Sequence, residues 1–305
     1  SNGEYDHVGY GHFTSDDTTL GAEEGEITEW VELLDFIDNN DINMPADWIF
    51  VESRVDLDSF IDFIVSESFA NNTSWKHNRE FWKAHAPGSK WRWFLPDMDR
   101  TFKLSAIDDN EFDSMLRNDA LLDRIKNQPK FQARLAQRYA AHISATFNPA
   151  RIAAIVDSLG NLITPELGRH EARWSDSIDA EQQALDLQEI KDYATQRSTS
   201  VHAEISSELG IGTAVDMTLA VTGSGSVHLA GIPLSPGVIP IFPNLDATLT
   251  AIAAPGFQFD SWAGISGGET TTLNTSDAIA ITANFIPASG SVVGGTLASD
   301  TTFTL

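Results

Sequence analysis

Apolar residues in the first two hundred or so positions recur at helical spacing. Trp30, Leu33, Leu34 and Ile37 fall at i, i+3, i+4 and i+7, one stripe of a helix. Val55, Phe60, Phe63, Ile64 and Phe69 predict a second helix, with Asp56 or Asp58 at its start to satisfy free amide groups. Phe131, Leu135, Tyr139 and Ile143 predict a third. In "FNPARIAAIVDSLG" Asn148 suits the cap, Pro149 the first turn and Gly160 the stop. A shorter helix is expected in "TPELGRHEARW". Leu185, Ile190 and Tyr193 mark one further helix, and Val201, Ile205 and Leu209 a last one. An aromatic hairpin at about 80–95 interrupts this α-rich region.

After Gly212 the period changes to two. "VDMTLAVTGSGSVHLAG", "ATLTAIAAPGFQFDSWAG" and "AIAITANF" alternate between breaks at Gly and Pro, as strands do. The expected fold class is multidomain α+β. Residues 1–211 form the helical region, 212–286 an independent small antiparallel β module, and 287–305 a linker or the start of another β domain.

Charge sharpens the boundary. The formal net charge is −25, yet no Lys or Arg follows Arg197. Such acidity argues against nucleic acid and anionic membrane as partners. There is no cysteine, which excludes disulfides and thiolate metal sites. No stretch is long and apolar enough to span a bilayer, so membrane insertion is not expected. The opening "SNGEYDHVGYGHFTSDD" has neither an initiating Met nor a signal-peptide pattern, as expected of a mature or cut piece.

The segment with most chemical content is "KWRWFLPDMDRTF", 90–102: an aromatic strand, Pro96, then Asp97 and Asp99. The acids either begin a turn or offer oxygen ligands at a rigid strand end. The pattern, together with "NNTSWKHNREFW" before it, resembles the C-terminal half of the CotH kinase family, named for a spore-coat protein kinase. Members often read "NTDWPxNN", an aromatic strand such as "KWRW", and "DxD" before an aromatic residue. The resemblance covers about 26–210. Residues 216–286 resemble a bacterial extracellular repeat of the internalin B-repeat kind, through "TLTAIAAPGFQFDSWAG" and "ITANF".

The first resemblance implies a protein-kinase-like C-terminal lobe. It implies that Asp97 is a ligand of the Mg²⁺ or Mn²⁺ that bridges ATP phosphates, with Asp99 as an accessory acid. It also exposes departures. Ser74 stands where the family's catalytic Asp is expected, and a hydroxyl is no base near neutral pH without help. Asn78 falls on the first Asn of the motif and Arg79 on the second, the metal-ligating one. A shift by one residue pairs Thr73 with Asn78 and still supplies no Asp. The phosphate-binding lobe lies upstream in the family, and the sequence before Trp30 is too short to build it. "GSGS" at 223–226 lacks the Lys of a phosphate loop.

Other candidates are weaker. His77 is either a surface group or a substitute base. His85 is expected to be solvated, and His142, His170 and His202 lack zinc spacing. "AIDDNEFD" (106–113) has oxygens for Ca²⁺ but not the EF-hand order, and "DNND" (38–41) is similar. Trp91 and Trp262 offer faces for glycans, though their spacing suits a core. Two functions follow from the resemblance. One is a noncatalytic scaffold or adhesion component, secreted or at the cell surface, whose partners are other surface proteins or glycans. The other is an active secreted kinase acting on Ser or Thr.

Overall fold

The computed structural model describes residues 4–10, 20–174 and 179–288. The tail 289–305, expected as a linker or strand, lies outside the described residues. The chain is mixed helix and sheet. Strands β1 (Tyr5–Tyr10) and β2 (Leu20–Glu24) precede helices α1 (Thr28–Asn39), α2 (Pro45–Arg54) and α3 (Leu57–Phe69). Then come β3 (Glu80–Ala84), β4 (Arg92–Phe94), α4 (Glu111–Asn118), α5 (Ala120–Ile125), α6 (Pro129–Ser144), α7 (Pro149–Ile163), α8 (Leu167–Arg173) and α9 (Ala180–Leu209).

The aromatic hairpin forms, but as half of a larger sheet. The order is β2-β1-β3-β4, antiparallel throughout, with His7 opposite Trp82 and Trp82 opposite Arg92. The acidic N-terminal residues gave no helical or strand signal of their own, because this pairing is long-range. Alternation on β3 and β4 buries Phe81 and Trp93 and exposes Trp82, Arg92 and Phe94. Trp30 from α1 lies 4.4 Å from Phe81 and Phe60 from α3 lies 4.4 Å from Trp93, centroid to centroid. These ring contacts fix the strand end that carries Asp97. The Ser59 hydroxyl closes the edge of β4, accepting from the Trp93 amide and donating to its carbonyl.

Capping largely follows the sequence. Asp56 caps α3 by accepting from the Ser59 amide, and Asn148 caps α7 ahead of Pro149. Gly160 does not stop α7, which runs on to Ile163. A Cβ there would stand 2.5 Å from Leu187 of α9, so this glycine serves close helix contact instead. The two helices expected after Leu185 are one, α9. No Gly or Pro falls between Tyr193 and Val201, and Tyr193, Arg197, Val201, Ile205 and Leu209 continue one buried stripe. Helices α2, α4 and α5, of ten, eight and six residues, are too short to repeat a period over several turns.

The strand-rich part comprises β5 (Val215–Thr222), β6 (Gly225–Leu229), β7 (Ile232–Leu234), β8 (Gly237–Ile241), β9 (Ala247–Ala253), β10 (Phe257–Ala263), β11 (Thr270–Leu273) and β12 (Ile279–Pro287). Two sheets, β10-β12-β5-β8 and β11-β9-β6-β7, enclose Met217, Leu219, Leu229, Leu249, Trp262 and Ile281. The expectation of an antiparallel module is corrected at one pair: β12 runs parallel to β5, with Ile281 beside Leu219. Trp91 and Trp262 are both buried, so neither presents a face to a sugar.

The strand-rich part also touches the helices. Phe242 sits in the helical core. The buried Gln137 of α6 donates to the Phe242 carbonyl at 2.7 Å and accepts from its amide at 3.2 Å. Arg138 donates to the Ala230 carbonyl at 2.5 Å.

Candidate functional site

The site begins where α3 stops. Asn71 adopts φ of 48°, a left-handed conformation that Asn tolerates better than most residues. Its amide donates to the Ser68 carbonyl, and the Asn72 amide donates to the Glu67 carbonyl at 3.0 Å. This double return is a Schellman stop, so the "NN" of the sequence motif is the helix terminus itself.

From that turn Asn72 works in two directions. Its Oδ1 accepts from the Ser74 amide at 3.0 Å and from the Ser74 hydroxyl at 2.9 Å. Its Nδ2 donates to the Asp97 carbonyl at 3.3 Å and approaches the Met98 sulfur. Asn78 fastens the other end, donating from Nδ2 to Asp97 Oδ2 at 3.0 Å and, at a long 3.5 Å, to Ser74 Oγ. Ser74, Asn78 and Asp97 are thus brought together, with Asn72 holding the backbone of Asp97 while Asn78 holds its carboxylate. Asn72, which sequence reasoning missed as a site residue, is fully buried.

Asp97 is exposed and has φ of 50°. The left-handed turn after Pro96 swings its carboxylate back over the 71–79 loop. The chain then returns to α3 through the Phe102 amide, which donates to the Ala70 carbonyl. Asp99 is exposed in the next turn. Asn78 reaches Asp97 rather than Asp99, so the expected second acid is not part of the contact.

Arg79 does not stand at the acid, as one laying of the motif implied. It is buried, with its Nε donating to the Lys76 carbonyl at 3.0 Å, and Nη1 to the Asn118 carbonyl at 3.1 Å. Asp119 lies 3.5 Å away, and the guanidinium sits 5.1 Å over the Trp75 ring. Its charge is directed to the α4–α5 junction. Trp75 is pinned in turn by donating to Glu111 at 2.9 Å. "AIDDNEFD" is therefore used structurally: Asn110 caps α4 and Glu111 anchors the loop. Of the histidines, His77 is exposed, and His85 is bonded to Asp6 at 2.8 Å rather than simply solvated.

Behind the loop lies Glu67 of α3, fully buried, with no hydrogen bond to either carboxyl oxygen. Burial, with the nearby charges of Asp97 and Glu111 adding to it, pushes its carboxyl up to about 7, and the Asn72 side chain opposes the shift. Glu67 is therefore poised to change charge near neutral pH.

Among the described residues, no three of His, Asp and Glu stand close enough to hold a metal ion together. A cation at Asp97 would rest on one carboxylate and water, because Asn78 turns its Nδ2, not its oxygen, to Oδ2. Mg²⁺ accepts such a sparse set, whereas Ca²⁺ wants more protein oxygens. Two broad clefts, of about 580 and 550 Å³, are lined by other residues. The first lies between α6 and the strand-rich part, the second beside Trp82 and Phe94.

A family model described as CotH kinase protein matches residues 11–201. No curated protein matches the chain, and no solved structure matches it.

Proposed function

The chain belongs to the CotH kinase protein family, and from that premise we propose that it is a kinase-like scaffold that has kept a divalent-cation foothold and lost phosphoryl transfer. The observation that carries this is the position of Ser74. Beside Asn78 and Asp97, where the family resemblance calls for a carboxylate to take the substrate proton, a buried hydroxyl donates to Asn72. A hydroxyl committed to a structural bond neither accepts a proton nor orients a substrate. The carboxyl of Glu67 is fully buried and has no exposed surface from which to meet a substrate oxygen.

The foothold itself fits Mg²⁺ or Mn²⁺. Asp97 offers its carboxylate at an ordered turn, and Asn78 supports it. Such an ion would neutralise the phosphates of a bound nucleotide. The chain's own residues would orient the ion and hold the 71–79 and 95–102 loops together. The setting proposed is a spore coat or bacterial surface, with other surface proteins as partners. The high acidity of the chain suits partners other than nucleic acid.

The alternative is an active Ser/Thr kinase. It is favoured by one finding: Arg79 is turned away and Asn78 occupies its place beside the acid, so the metal half of the site is less degraded than the motif suggested. Incubation of the purified chain with radiolabelled ATP, Mg²⁺ and Mn²⁺, with and without a general protein substrate, separates the two. The scaffold predicts label no higher than for Asp97→Ala. Transfer that disappears in Asp97→Ala establishes the kinase.

A further inference from the structure

Helix α7 packs on α9 through Ile152, Val156 and Gly160. The flank beside that contact is apolar and exposed among the described residues. Ile155 is 42% exposed, Leu159 55%, Leu162 73% and Ile163 54%. The spacing i, i+4, i+7, i+8 places all of them on one stripe, the spacing of a helix seam rather than of scattered surface residues. Trp174, at the end of α8, is exposed as well. An apolar stripe of this size on an acidic chain marks an interaction surface.

Charge selects the partner. Residues 149–174 carry Arg151, Arg169 and Arg173 against Asp157, Glu166 and Glu171, three of each sign and a net of zero, on a chain of −25. A strongly basic partner would find no excess of acid here. This is instead a face on which two equally acidic chains can approach with little local repulsion.

The order of residues along α7 is also self-complementary. Laid antiparallel on a second α7 about Leu159, Ile155 meets Ile163 twice and Leu159 meets itself. Arg151 of each copy then comes opposite the turn bearing Glu166 of the other, and both residues are exposed. This is the arrangement a twofold axis requires. We propose that the chain forms an isologous dimer through this exposed flank of α7, with its axis passing near Leu159.

The absence of cysteine allows a direct test. A residue on a twofold axis faces its own copy, so Leu159→Cys should form a disulfide-linked dimer on mild oxidation. Ile252→Cys, exposed on β9, should not. Sedimentation of the unmodified chain should show mass rising from 33.3 kDa towards twice that value between about 1 and about 500 µM, the span of weak self-association. Added salt should strengthen the dimer by screening the repulsion of the two net charges. Leu159→Glu should leave a monomer with unchanged circular dichroism. A wild-type chain that stays monomeric throughout overturns the proposal and gives the face to another partner. A dimer that survives Leu159→Glu, or crosslinks equally through Ile252→Cys, overturns it too.

Discussion

Two acids of one helix, α3, have opposite fates. Asp62, on the side facing α6, is met by Arg138 at 2.6 and 2.8 Å and by His142 at 2.7 Å. Although burial opposes it, these hydrogen bonds and charges hold the carboxyl down at about 2. Glu67, little more than a turn further on, has no such partner and is pushed up to about 7. Around Asp62 the acids are matched: Asp58 with Arg134, Asp56 with Arg92. Around Glu67 the neighbouring charges are Asp97 and Glu111, both negative. The first cluster is complete and joins the helices to the strand-rich part through Arg138. The second is short of positive charge, a condition that an incoming cation would relieve. An unmatched acid set near an exposed carboxylate marks the candidate site better than acidity alone, which the whole chain shares.

The largest expected effect comes from breaking the complete cluster. Arg138→Ala takes from Asp62 its two-pronged partner, leaving His142, and frees the Ala230 carbonyl; loss of charged hydrogen bonds at a half-exposed acid costs about 3 kcal/mol. Denaturant unfolding of this variant should show that loss. It should also show less dependence on pH between about 4 and 2. There Asp62, whose folded value is depressed, loses its stabilising effect as pH falls, by a modest amount because the side chain is 40% exposed.

Glu67→Gln acts in the opposite direction. A carboxyl raised on folding favours the folded state below its unfolded value of 4.5 and penalises it as pH rises through about 7. The variant should be more stable than wild type at pH 8, by roughly 3 kcal/mol at most. The two should converge towards pH 4.5. Equal stabilities at pH 8 would mean that Glu67 has a partner when charged.

Ser74→Ala removes the hydroxyl from Asn72 Oδ1, and should cost about 1 kcal/mol, the ordinary worth of a buried neutral hydrogen bond. A loss of several kcal/mol would show that this bond is the keystone of the 71–79 loop rather than one of several ties.

Much of this was legible in the sequence where local chemistry decides. Asp56 and Asn148 stand where a cap was expected because an acceptor before an apolar period has one cheap use. Asp97 was singled out by its place after an aromatic strand. Its partner Asn78 came from the family motif, since nothing in the spacing alone says that residues 78 and 97 meet. The N-terminal strands were hidden because β1 is held by β3, far away in sequence. Glu67 was missed because an acid in "SES" reads as surface. The signal was the apolar surround, Phe63, Ile64, Val65, Phe69 and Ala70, which leaves no polar face for it to occupy. Arg79 was misplaced because alignment by motif fixes the order of residues and not the direction of a long side chain.

Asp97, oriented by Asn78, is proposed to hold a divalent cation although Ser74 removes transfer. Titration of Mn²⁺ into the chain, followed by the loss of its free electron-spin signal, tests it most directly. One bound ion is expected, weakened at least about tenfold in Asp97→Ala, a change worth about 1.4 kcal/mol, and more modestly in Asn78→Ala. Asp97→Ala should keep the fold at a cost of about 1–2 kcal/mol, since Asn78 loses an acceptor and Ala tolerates φ of 50° less well than Asp. Mn²⁺ affinity that is the same in wild type and Asp97→Ala, or no binding up to millimolar ion, would contradict the account.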